Sequence, residues 1–196
     1  MNDKGLLMPV AVNGSWCGDG ILCFEKLSDI RLLLVRTDEN KTDGRTVRTL
    51  HPVTSEEMKE MGVDTEEAFE RAKEAFLSRF PPMIEPLYKM LGLTDEDVDS
   101  PFVPPLFVLY NKELFFGGTM IFMPSVLEMV YEFVGKDFYI IPSSINELLI
   151  LPCLDCDPES IREHIHYVNT TVCSKEEVLS EELYIYRKEE GRVLVA

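Results

Sequence analysis

Basic residues are scarce in this chain. Lys and Arg number 19 against 35 Asp and Glu in 196 residues, a net charge of −16. A surface this acidic repels phosphate backbones and anionic headgroups, so direct nucleic-acid and membrane partners are not expected. Long apolar runs are missing as well. The best stretch, 138–154, carries two prolines, two serines, Asn146 and Glu147, and no stretch approaches the roughly 18 apolar residues of a membrane span. The first nine residues lack a signal-peptide pattern, because the apolar run is short and Pro9 breaks it. The five cysteines (Cys17, Cys23, Cys153, Cys156 and Cys173) are an odd number, which suits reduced thiols better than a disulfide framework. A cytoplasmic protein is the expectation. There is no Gly-x-Ser-x-Gly elbow, phosphate loop, dinucleotide fingerprint or fixed-period repeat, and Gly18-Asp19-Gly20 alone is too weak to count as one. The histidines are His51, His164 and His166, few for acid–base or metal chemistry.

Apolar residues make up 45% and aromatics 10%, enough for a core without metal or disulfides. Gly20 to Phe24 and Ile30 to Arg36 read as strands, and Asp43-Gly44 as a hairpin turn. Residues 1–19 carry Asn13-Gly14 and Gly18-Asp19-Gly20, which are turn signals. Thr54-Ser55-Glu56-Glu57 is a capping box, and the helix it opens stops at Gly62. A second helix starts at Asp64 or Thr65. Its apolar positions Ala68, Phe69, Ala72, Ala75, Phe76 and Phe80 share one face, and Pro81-Pro82 ends it. A short helix bent at Pro86 is expected over 83–91. Residues 93–105, acidic and Pro-rich, are the candidate boundary between an N-terminal part (1–92) and a C-terminal part (106–196) of one integrated domain. Beyond it, strands are expected at 106–110, 114–123, 137–141 and 147–151. Helices open at Pro124, Asp157-Pro158 and Ser174, and a terminal hairpin spans 183–196. Short strand connections make the strands antiparallel. The predicted class is α+β: an antiparallel sheet built from hairpins, with helices mainly on one face.

Several runs resemble a bacterial family. They are Leu106-Phe107-Val108-Leu109-Tyr110-Asn111-Lys112, Gly117-Gly118, 124–127 and Asp137-Phe138-Tyr139-Ile140-Ile141-Pro142-Ser143-Ser144. Phe80-Pro81-Pro82-Met83-Ile84 and Glu176-Glu177-Val178-Leu179-Ser180 match too. Together they identify the chain as similar to DUF5688, a domain of unknown function, over about residues 28–192. The resemblance implies no established activity and a setting on mobile genetic elements. The family tends to carry His-Glu two residues after Pro-Ser-Ser, where this chain has Asn146-Glu147. A role for that histidine would be lost here.

Ser143, Ser144 and Glu147 invite a hydrolase reading, but a serine nucleophile needs a base and a group to orient that base. The competing expectation is a turn in which Ser143, Ser144, Asn146 and Glu147 bond backbone groups. Cys153 and Cys156, between a strand and a helix start, suggest a thiol or metal enzyme. Asp155 and Asp157 oppose a thiolate there, and further zinc ligands are not evident. Trp16, Phe115, Phe116, Phe122 and Tyr139 read as core or cleft-lining. The acidic residues Glu66, Glu67, Glu70, Glu74, Asp95 and Asp97 mark a candidate binding face for a basic protein. The leading expectation is a non-catalytic binding or regulatory protein without cofactor or metal.

Overall fold

A computed structural model describes residues 6–18, 20–42, 45–94, 105–142, 144–153, 157–171, 174 and 176–196. The fold is α+β, with all strand pairings antiparallel. The strands fall into two sheets. The first holds β1 (Leu6–Asn13), β2 (Cys23–Leu27), β3 (Ile30–Thr42) and β4 (Arg45–Pro52). β3 is its spine: one edge pairs β1, and the other pairs β2 at its start and β4 along its end. Two helices follow, α1 (Ser55–Met61) and α2 (Thr65–Arg79), and α2 packs against β1.

The second sheet contains β5 (Pro82–Pro86) and, after the short α3 (Leu87–Met90), β6 (Phe107–Asn111). The helix α4 (Pro124–Val134) leads into β7 (Phe138–Ile141) and β8 (Leu148–Pro152). The helix α5 (Pro158–Thr171) precedes the terminal hairpin of β9 (Tyr184–Arg187) and β10 (Arg192–Val195). The order across the sheet is β10-β9-β7-β8-β6-β5. β5 precedes the acidic stretch 93–105 in sequence yet pairs β6, which follows it. One contiguous apolar cluster joins Leu32, Leu34, Phe69 and Phe76 to Met120, Val130, Phe138 and Tyr186.

Four expectations need correction. Residues 6–13 form a strand where none was expected. Pro9 is tolerated because β1 pairs on one side only. Residues 82–86 are a strand where a helix bent at Pro86 was expected, since Pro82 and Pro86 favour extended backbone and β5 is a sheet edge. The expected strand at 114–123 is instead a tight bend, with Leu114 and Phe116 at positive φ, running into a buried 3₁₀ helix over Gly117–Phe122. At Ser174 the described chain makes a turn rather than a helix.

Candidate functional site

The acidic face is built on α1 and α2. Thr54 caps α1 reciprocally with Glu57, and Gly62 ends it in the left-handed conformation at φ 64°. Asp64 caps α2 by accepting from the Glu67 amide at 3.0 Å. The buried side of α2 is Ala68, Phe69, Ala72 and Phe76, with Phe69 stacked on Phe24 at 4.1 Å. Glu66, Glu67, Glu70 and Glu74 are all exposed on the other side. Glu66, Glu70 and Glu74, four residues apart, form one stripe.

Two of the four carboxylates have a cation partner within the helix, and Glu70 shares its partner with a third carboxylate. Glu67 pairs with Arg71 at 2.5 Å, and Glu70 with Lys73 at 3.2 Å. Lys73 also reaches Glu25 at 2.5 Å. Burial opposes its charge, but the two carboxylates outweigh that and its pKa is raised. Glu66 and Glu74 have no ion-pair partner among the described residues. Asp95 and Asp97 lie outside the described residues.

The Pro-Ser-Ser loop is bonded inward. Ser143 lies outside the described residues, but Ser144 is 9% exposed and donates to Glu147 Oε1 at 2.7 Å. The same hydroxyl accepts the Asn146 amide at 3.0 Å. Asn146 Oδ1 accepts the Phe116 amide at 3.3 Å, the Ile145 carbonyl accepts the Gly118 amide at 3.0 Å, and the Ile145 amide donates to Glu177 at 2.9 Å. The loop thus clamps the 3₁₀ helix to the segment after α5. Gly117 is required by space: a Cβ there would lie 2.2 Å from the Asn146 carbonyl oxygen. The imidazoles are engaged elsewhere. His51 faces Asp38 at 3.3 Å, His164 the Ser160 carbonyl at 2.7 Å and His166 Glu181 at 3.3 Å. Ser144 therefore has a carboxylate neighbour without an imidazole to relay its proton.

Cys153 is half-buried just after β8, its amide donating to the Asp137 carbonyl at 2.9 Å. Cys156 lies outside the described residues. Burial, reinforced by Cys17, pushes the Cys23 thiol above its ordinary range, which disfavours the nucleophilic thiolate. Among the described residues no group of three or more His, Cys, Asp or Glu is placed to hold a metal ion.

Two features were not placed from the sequence, although Trp16 and Phe116 read as core or cleft-lining. The first is a polar knot at Asp29, in the turn between β2 and β3. Its Oδ1 accepts Ser180 Oγ at 2.6 Å and Tyr184 Oη at 2.8 Å. Asn169 donates to the Ser180 carbonyl at 3.0 Å. Burial drives the Tyr184 pKa strongly upward, and the Asp29 charge adds to the effect, so the phenol stays a donor. The second is an apolar cleft of about 240 Å³ on the first sheet, with Trp16 at its mouth. Trp16 is 55% exposed, whereas Phe122 is buried and Phe115, Phe116 and Tyr139 are half-buried.

Residues 25–188 match a family of unknown function (DUF5688). No curated protein and no solved structure matches the chain. Among the described residues no helix is long and apolar enough to cross a membrane.

Proposed function

Because the chain belongs to DUF5688, a family of unknown function, we propose its role from its own surface: a non-catalytic binding protein that engages a basic protein partner through the acidic face of α1 and α2. The observation that carries this reading is the Glu66-Glu70-Glu74 stripe. It stands on a helix whose opposite side is locked in the core, so the charges are presented on a fixed frame. Glu56 and Glu60 on α1 are exposed too. A net charge of −16 steers a cationic partner toward the molecule before contact. The reading places the protein in the cytoplasm, and a setting on mobile elements would suit an inhibitor that imitates nucleic-acid charge. A hydrolase centred on Ser144 is less well supported, because its hydroxyl both donates to Glu147 and accepts from Asn146.

Poly-L-lysine is a suitable probe. Replacing Glu66, Glu70 and Glu74 by Gln is expected to weaken its binding about tenfold at low salt and to flatten the salt dependence. A control variant removes the same charge from Glu159, Glu163 and Glu189, which are exposed elsewhere. It should retain most of the affinity. Equal loss in both variants would reduce the effect to bulk charge and defeat the proposed face.

A further inference from the structure

The apolar cleft is independent of the acidic helices. Val10 and Val12 of β1, Leu33 and Val35 of β3, and Leu50 and Pro52 of β4 all line it. Register places Val10 opposite Leu33, and Val35 opposite Pro52. Side chains alternate along a strand, so all six project from one sheet face and make the wall of the cleft. Phe116, Ile145 and Val178 bring in the other half of the chain. At about 240 Å³ it exceeds the roughly 150 Å³ apolar cavity that accepts benzene. That is room for one small molecule, whereas a protein partner covers roughly 800 Å².

Few polar groups reach the cleft. Asn13 is already satisfied: its amide nitrogen donates to the Leu179 carbonyl at 3.2 Å, and its oxygen accepts the Ser15 amide at 3.0 Å. Among the described residues Glu176 is the one ionisable member of the lining, and its carboxylate is exposed with no ion-pair or hydrogen-bond partner among them. The indole of Trp16 lies at the same cleft, more than half exposed. An indole face and a carboxylate both attract a positive charge, and both repel an anion. Apolar walls with these two groups select for an apolar body carrying a single cationic head. We propose that the cleft is a binding site for a small organic cation, an amine or quaternary ammonium with a hydrocarbon body.

The chain contains one tryptophan, so its fluorescence reports on this cleft directly. Hexyltrimethylammonium, 1-hexanol and hexyl sulfate share one hydrocarbon body and differ in head charge. Titration of the full chain should give a saturable shift of Trp16 emission with hexyltrimethylammonium. Affinity for 1-hexanol should be about fivefold weaker, with hexyl sulfate weaker still. Glu176→Gln, an exposed change that leaves the core intact, should remove the preference for the cation over the alcohol. Val12→Phe, which fills the cleft, should abolish binding of all three probes while the protein still melts cooperatively. The Gln variant of Glu66, Glu70 and Glu74 should bind hexyltrimethylammonium normally, which separates this site from the acidic face. Equal affinity for all three heads, an unchanged preference in Glu176→Gln, or no saturable shift overturns the proposal.

Discussion

At Thr37 a single hydroxyl is out of balance. The residue is 4% exposed on β3, and its Oγ1 is the buried side-chain polar atom left without a hydrogen-bond partner among the described residues. Burying a hydroxyl unpaired costs about 1–3 kcal/mol. Valine has the same shape and suits a strand. Thr37→Val is therefore expected to stabilise the fold by about 1 kcal/mol, read as a higher urea midpoint at constant slope. A lower midpoint would mean that the hydroxyl is satisfied after all. Gly117 is the opposite case, where adding one carbon is costly. Its Cβ would sit 2.2 Å from a backbone oxygen, and backbone has little room to yield. Gly117→Ala should destabilise by about 2–3 kcal/mol, because the clamp between the 3₁₀ helix and the motif loop must open. At Gly135 nothing lies within 4 Å of an added Cβ, and the cost there is only that of its φ of 78°, about 1–2 kcal/mol. If thermal melts of the two alanine variants coincide, the close approach at Gly117 is not what fixes that residue.

Among elements, those set by neighbouring residues were legible in the sequence and those set by distant ones were not. Thr54 with Glu57, and Asp64 ahead of Thr65, act within one turn, so α1 and α2 begin where expected. The same locality made the Ser144–Glu147 turn readable, three residues apart. The β1 strand was hidden because Pro9 reads as a breaker until its place on a sheet edge is known. The knot at Asp29 joins residues more than 150 positions apart, and the cleft needs three strands in register. The β3–β4 hairpin carries a further long-range device. Glu39 accepts from Arg48 at 2.7 Å and from Arg79 at 2.6 Å, and Arg48 also bonds Glu113 and lies over the Phe115 ring at 4.6 Å. The Arg48 hydrogen bond, supported by Arg79, holds the Glu39 pKa below the ordinary carboxylate value. A depressed folded pKa stabilises above the unfolded value, near 4.3 for Glu, and that stability is lost as pH falls through the lower folded pKa. Glu39→Gln should cost about 1 kcal/mol at pH 7. It should cost progressively less below about pH 4, so the two melting curves converge in acid. A gap that stays constant from neutral to acid pH would show that the carboxylate charge is not what links α2 to the hairpin.

For the molecule as a whole, opposing electrostatic effects decide how salt acts. Exposed ion pairs such as Arg71–Glu67 and Lys188–Glu128 lose strength on screening, but each contributes only about 0–1 kcal/mol. Against them stands the mutual repulsion of a chain with 16 more carboxylates than cations. At 0.01 M salt the screening length is about 30 Å, long enough to couple charges across the molecule, and at 0.15 M it shrinks to about 8 Å. Screening should therefore relieve more repulsion than attraction. The melting temperature is expected to rise by about 2–4 °C between those salt concentrations, which corresponds to roughly 1 kcal/mol in a chain of this size. Over the same range the association rate with poly-L-lysine should fall, because the field that destabilises the fold is the one that steers the partner. Melting curves and stopped-flow binding on one salt series test both halves of the argument. If the melting temperature drops together with the binding rate, the ion pairs dominate the electrostatics and the net charge does not set the behaviour of the surface. If it rises while the rate holds constant, the acidic excess is a property of the fold alone and has no part in recruiting a basic partner.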